Sequence, residues 1–138
     1  MGGADKALLR LAGRTLADRV ADRFAPQVAG LALSANGDPA RLADLDCEIL
    51  ADATDDRLGP LAGLAAGLAW LARQGGTHLA TVPVDAPFIP CDLVARLADG
   101  LPDASTGITL AESGGRLHPT CGLWPVGLGG PLAAALAA

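Results

Sequence analysis

The chain has no tyrosine, and only two phenylalanines and two tryptophans among 138 residues. Single-stranded nucleic acid is bound on aromatic stacking platforms, so this scarcity argues against that ligand. Basic charge is also short. Ten Lys and Arg stand against fifteen Asp and Glu, a formal net charge of −5. A duplex-binding surface shows as a basic patch, and none is present. An anionic ligand must therefore be held locally, by a few cations, by backbone N–H groups or by a metal ion. Cysteine is limited to Cys47, Cys91 and Cys121, an odd number with no CxxC spacing. That argues against a disulfide framework or a zinc site and for a reducing, cytoplasmic setting. Long apolar runs are missing too. The most apolar stretch, Leu58 to Leu71, is too short to span a bilayer and carries Gly and Pro. No membrane segment is expected, and Asp5, Lys6 and Arg10 interrupt any signal-peptide core.

What is present is material for a core. Hydrophobic residues make up 51% of the chain, mostly Leu, Val and Ala, which excludes disorder and suits one domain spanning residues 1–138. Short β-rich runs alternate with helical stretches. Leu16, Val20 and Phe24 recur every fourth residue, predicting a helix over Thr15–Ala25 that Pro26 ends. Gly30–Ser34 and Cys47–Ala51 read as strands, with a helix opening at Asp38-Pro39 between them. A long helix is predicted from Gly59-Pro60 to about Gln74, closed by Gly75-Gly76. His78–Val84 reads as a strand, Pro90–Leu101 as a helix, and Gly107–Ala111 and Leu117–Trp124 as strands. Such alternation predicts an α/β, doubly wound, mostly parallel sheet. The Gly-rich, charged first residues resemble the middle of a domain, and Pro131–Ala138 resembles a helix cut short.

In open α/β sheets, ligands bind outside the carboxyl ends of the strands. Ser34 and Asn36 follow the first predicted strand, Asp52 the second and Asp85 the third. A carboxylate on that edge suits a hard cation such as Mg²⁺, which takes oxygen ligands and brings phosphates with it. An Asp after a strand also serves simply to cap a turn. The sharpest local signal is Val82-Pro83-Val84-Asp85-Ala86-Pro87-Phe88-Ile89-Pro90, where three prolines stiffen the chain around one acid. Gly59-Pro60-Leu61-Ala62-Gly63 opens a helix whose free N–H groups favour anions. Gly59 and Gly63 would let a flat ligand approach closely, or serve tight packing on the sheet. Met1-Gly2-Gly3-Ala4-Asp5-Lys6 offers backbone donors and one cation, the equipment of a phosphate loop. His118 lies in Arg116-Leu117-His118-Pro119 and is a candidate contact for an anionic substrate, or structural. The cysteines read as small core residues.

Taken in order, these elements resemble the molybdenum cofactor guanylyltransferases, the MobA family. Met1-Gly2-Gly3-Ala4-Asp5-Lys6 matches the end of that family's LAGG-x-S-x-RMGG-x-DK loop. Ser34-Ala35-Asn36 matches its (N/S)AN element, Ala51-Asp52 its acidic strand end and Gly59–Gly63 its GPLAG. Pro83–Pro90 matches P-(C/V)-D-(T/A)-P-(F/Y)-(I/L)-P, and His118-Pro119-Thr120 with Leu123-Trp124 matches the HPT/LW region. Single motifs are modest; the ordered set covers essentially the whole chain.

The resemblance implies a three-layer, Rossmann-like nucleotidyltransferase fold and a role in molybdenum cofactor biosynthesis. The implied reaction is metal-assisted transfer of GMP from GTP to molybdenum-loaded molybdopterin, releasing pyrophosphate. Asp85 would ligate Mg²⁺, and Lys6 would neutralise phosphate charge. Ser34, Asn36, Asp52, Gly59 and Gly63 would lie along the GTP, and His118 near the acceptor. Implied partners are GTP and molybdopterin, with molybdoenzyme maturation proteins as further candidates. Against the family pattern, the first strand, the LAGG-x-S-x-R segment and an NVNTPE-like C-terminal part are missing. The corresponding expectation is a partial domain with little transferase activity as written. Cytidylyl transfer to molybdopterin, nucleotidyl transfer to a sugar phosphate, and a non-catalytic binding role are the competing readings.

Overall fold

The structure, a computed structural model, describes residues 6–35, 39–51 and 59–138. Lys6–Leu8 forms a 3₁₀ turn that leads into a small antiparallel hairpin, β1 (Arg10–Leu11) and β2 (Arg14–Thr15). The hairpin turns at Ala12-Gly13, both at positive φ, and the Arg19 side chain donates to the carbonyls of Leu11 and Ala12. Sequence periodicity gave no sign of this hairpin, because a two-residue strand has no pattern to read.

Helix α1 (Leu16–Phe24) starts where Thr15 caps it. Thr15 Oγ1 accepts from the Asp18 N–H at 3.1 Å and donates to the Asp18 carboxylate at 2.8 Å. The acid in the first turn also complements the helix dipole. Thr15→Ala is expected to lower stability by about 1 kcal/mol, the usual worth of an N-cap, read as a lower urea midpoint at unchanged slope. No change in midpoint would show that the hairpin alone holds the helix start. Ala17, Val20 and Phe24 form the buried stripe. Pro26 does not stop the chain abruptly, since Ala25–Gln27 continues as a 3₁₀ turn.

Strands β3 (Ala32–Ser34) and β4 (Glu48–Leu50) pair in parallel, with Ser34 opposite Leu50. Between them, where a helix was expected to open at Asp38-Pro39, Pro39–Leu42 forms a 3₁₀ turn; Asp38 lies outside the described residues. Helix α2 (Pro60–Gln74) has the predicted bounds, with Pro in its first turn and Gly75 in the left-handed region at its end. Strand β5 (His78–Thr81) is shorter than expected. It stops before Pro83, which cannot donate a ladder hydrogen bond. Helix α3 (Leu93–Asp99) is likewise shorter than the predicted Pro90–Leu101.

Strands β6 (Thr109–Ser113) and β7 (Arg116–Pro125) form a hairpin closed by Gly114-Gly115, both at positive φ. Two such residues make the tight turn that antiparallel strands need. Strand β7 then runs back along β5, giving the antiparallel order β5-β7-β6. Helix α4 (Gly129–Ala137) follows. The α/β class and the helix–sheet–helix layering are as expected. The expectation of a mostly parallel sheet needs correcting: among the described residues only β3–β4 is parallel. The reason is that tight hairpin, which reverses β7 where a crossover helix was not needed.

Helices α1 and α3 bury Val20, Phe24, Leu93 and Leu97 against Cys121 and Leu123 of β7. Helix α2 packs on the opposite side, with Leu64, Leu68 and Leu71 against Leu79 of β5 and Leu50 of β4. Alternate residues of β7 thus serve the two layers, as the strand period requires.

Candidate functional site

The polar candidates meet on a third, smaller cluster. Ala7, Ala17 and Leu42 are buried there, with Leu33 of β3, Ala35 just after it, Ile49 of β4 and Val84 after β5 packed around them. These contacts gather the carboxyl ends of three strands and the chain just before β1. Lys6 and Asp85 are the immediate neighbours of Ala7 and Val84. The cluster holds them together although 79 residues separate them: Lys6 Nζ donates to Asp85 Oδ2 at 3.1 Å. Both side chains are nearly half exposed, 45% and 46%. An exposed pair contributes about 0–1 kcal/mol to stability, so opening it for a ligand costs the fold little.

The loop carrying Asp85 is fixed on both sides. The Ala86 N–H donates to Pro83 O at 3.3 Å, and Ile89 is anchored in the core. From α1, Arg23 donates to Ile89 O at 3.1 Å, and Gln27 Nε2 donates to Pro90 O at 3.0 Å. Gln27 Oε1 accepts from the Val94 N–H at 2.8 Å, tying the start of α3 to the same point. Sequence reading singled out neither Arg23 nor Gln27. No local signal marks a residue that acts more than sixty positions away.

A groove of about 1580 Å³ runs between β3 and β5. Ser34, Gly59, Gly63 and Thr120 line it, as do Ala7 and Val84, which puts the Lys6–Asp85 pair at its rim. Ser34 ends β3 beside Leu50, and the Ala35 N–H extends the pairing to Leu50 O at 2.9 Å. Gly59 caps α2 at φ +55°, a backbone state that side chains disfavour, and a Cβ there would meet open space. Conformation rather than crowding therefore explains glycine at 59. The N-terminus of α2 opens on this groove, with the partial positive charge that favours an anion. Met1–Asp5, Asn36 and Asp52 lie outside the described residues.

His118 is placed differently. In the register between β6 and β7, Leu110 faces Gly122 while the next residue, Ala111, faces His118. Pro119, Thr120 and Cys121 are thereby bulged out of the ladder, and Pro119 and Thr120 reach the groove. His118 does not line it; its Nε2 lies 2.7 Å from Ser113 Oγ across the hairpin. Of the three cysteines expected in the core, Cys121 is buried and Cys47 partly so, whereas Cys91, just ahead of α3, is exposed. Burial pushes the Cys121 thiol up, and burial followed by the charge of Asp46 pushes up Cys47, so neither is an activated nucleophile.

One carboxylate is a sufficient protein ligand for Mg²⁺, which keeps waters and takes substrate phosphates for its other positions. Asp85, half exposed and presenting oxygen, fits that mode. No cluster of three or more metal-ligating side chains exists among the described residues. No described helix is long and apolar enough to cross a membrane.

The MobA-like NTP transferase domain family matches residues 1–138. A molybdenum cofactor guanylyltransferase of Cereibacter sphaeroides is 54% identical over 138 residues, covering 100% of this chain and 69% of that protein. One of Rhodopseudomonas palustris is 53% identical over 130 residues, covering 93% of this chain and 61% of the relative. The chain thus spans about two thirds of the length of these relatives. The crystal structure of molybdopterin-guanine dinucleotide biosynthesis protein A from Archaeoglobus fulgidus superposes with a TM-score of 0.66 at 15% identity. That overlap covers 98% of this chain and 66% of the other, and shows a shared fold.

Proposed function

Because the chain belongs to the family of MobA-like NTP transferase domains, we propose that its fold, a single such domain, transfers GMP from GTP to molybdenum-loaded molybdopterin. Relatives that carry the guanylyltransferase name over this whole chain support that reading. The observation that carries it is the Lys6–Asp85 pair at the carboxyl edge of the strands. It is a cation and an acid already in contact, exposed, and weakly committed to the fold.

In the reaction, a terminal phosphate oxygen of the acceptor attacks the α-phosphorus of GTP. The new bond forms there, the bond from α-phosphorus to the bridging oxygen breaks, and pyrophosphate leaves with its electron pair. This is in-line displacement, for which positioning and charge neutralisation suffice. Asp85 would hold Mg²⁺, which supplies charge neutralisation and polarises the phosphoryl oxygens. Lys6 turns from Asp85 to the triphosphate as the nucleotide arrives. The groove takes the nucleoside, with Ser34, Gly59 and Gly63 along it and the α2 N-terminus facing its negative charge. Asn36 and Asp52 are assigned to the same side, and His118 to the acceptor side. The reaction needs no side-chain nucleophile. A cytoplasmic setting follows from the reduced thiols that the sequence implies.

Calorimetric titration of GTP and CTP with Mg²⁺ tests the choice of base. GTP is expected to bind at least about a hundredfold more tightly, because a groove that hydrogen-bonds one base leaves polar groups unpaired with another. Equal or tighter CTP binding would reject guanylyl transfer in favour of the cytidylyl reaction.

A further inference from the structure

The chain is poor in aromatic residues, and it spends one of them on the surface beside the proposed reaction centre. Phe24 and Trp70 are buried, and Trp124 is half-buried with its indole N–H on Thr81. Phe88 is 73% exposed. It is the one exposed aromatic side chain of the protein, three residues from Asp85 and within the same turn-rich loop. That loop is held at Ile89 and Pro90 by Arg23 and Gln27, so the ring is displayed from a fixed backbone. A ring carried on a held backbone has only its two side-chain rotations to give up on stacking.

We propose that Phe88 is a positioning residue that stacks on the fused heterocycle of the acceptor, its pterin ring. The assignment rests on the transfer reading above. Both substrates of that reaction carry a planar fused heterocycle, and both could stack on phenylalanine. Ser34, Gly59 and Gly63, on the nucleoside side, line the groove between β3 and β5, whereas Phe88 does not. The ring therefore lies outside the groove given to guanine, on the loop that carries Asp85, the acid that the attacking phosphate must approach. Stacking there would orient the acceptor with its terminal phosphate toward Lys6 and Asp85.

The test compares Phe88→Ala, Phe88→Leu and Phe88→Trp in two assays. One is steady-state GMP transfer. The other is equilibrium binding of neopterin monophosphate, followed by its own fluorescence. For Phe88→Ala and Phe88→Leu, the KM for molybdopterin and the Kd for neopterin monophosphate should rise about tenfold, within the range of a base–aromatic stack. The KM for GTP should stay within about twofold, and Phe88→Trp should restore both values. Melting temperatures should be unchanged, since an exposed side chain adds little to stability. Any of three results would overturn the assignment: no effect of Phe88→Ala, a rise confined to the KM for GTP, or a change in oligomeric state with the substitution. Full function in Phe88→Leu would also overturn it, because apolar bulk without a ring would then suffice. GMP transfer without dependence on Phe88 would remove this assignment alone. Phe88-dependent neopterin binding in a chain that binds GTP no more tightly than CTP would remove the guanylyl reading and leave the stacking site standing.

Discussion

Replacing Asp85 with asparagine is expected to reduce GMP transfer by about 10²–10³-fold while leaving the melting temperature within about 2 °C of the parent. Asparagine has the same size but no charge, so the substitution removes the anionic oxygen that would hold Mg²⁺ and changes little else. The fold is spared for a reason visible in the geometry. The Lys6–Asp85 pair is nearly half exposed on both sides, and such pairs add about 0–1 kcal/mol. The catalytic loss is large because the triphosphate would be left without its bridging cation, with Lys6 alone to meet its charge. Two measurements check this: pyrophosphate release, and the Mg²⁺ dependence of GTP binding. The apparent Mg²⁺ requirement should rise about tenfold or more, as first-contact ligands matter at least as much as the outer groups that orient them. Retention of more than a tenth of the activity, or an unchanged Mg²⁺ requirement, would remove Asp85 from the metal site.

Truncating Leu68 to alanine is expected to be the most damaging single change to the fold, at about 3 kcal/mol. Leu68 is 1% exposed in the middle of α2, among Leu64, Leu71 and Leu79. Helix α2 joins β4 and β5 on one side of the sheet and carries α4 on its back, so the void would open where three elements meet. Neighbouring side chains in such a place cannot collapse without shifting strands. For a chain of this size the melting temperature should fall by about 10 °C. Thermal unfolding followed by circular dichroism would show it, and a fall under about 3 °C would mean that the site relaxes. Because α2 also presents its N-terminus to the groove, GTP binding should survive at low temperature and vanish with the helix on warming.

Much of the candidate site is legible in short motifs. Asp85 stood out through the prolines on either side of it, and α2 through its Gly-Pro start, leucine spacing and Gly-Gly end, so its bounds came out as predicted. The same local rules failed where pairing decides the outcome. The β1–β2 hairpin turns on Ala12-Gly13, which lacks the Asn-Gly or Asp-Gly that would announce it. The sense of β7 was misjudged because strand content is readable from composition while direction depends on its turn and on β5. The bulge at Pro119–Cys121 is likewise a product of register, and it decides that Thr120 rather than His118 reaches the groove.

The sequence by itself determined the class of the fold, the order of its main elements and the acid on which the proposed chemistry turns. Each rests on patterns a few residues long: helical and strand periods, turn residues, and an acid among prolines. Only the tertiary structure decided that Lys6 meets Asp85, that Arg23 and Gln27 hold the acidic loop, and that Phe88 faces water. Those facts depend on contacts between residues 63 to 79 positions apart. The first forms where the buried cluster of Ala7, Ala17 and Leu42 draws the strand ends together, and the others where Val20 and Phe24 of α1 pack against Ile89 and Leu93. The scarcity of aromatic residues changes meaning in that light, because three of the four are at least half-buried and the fourth stands beside the reaction centre.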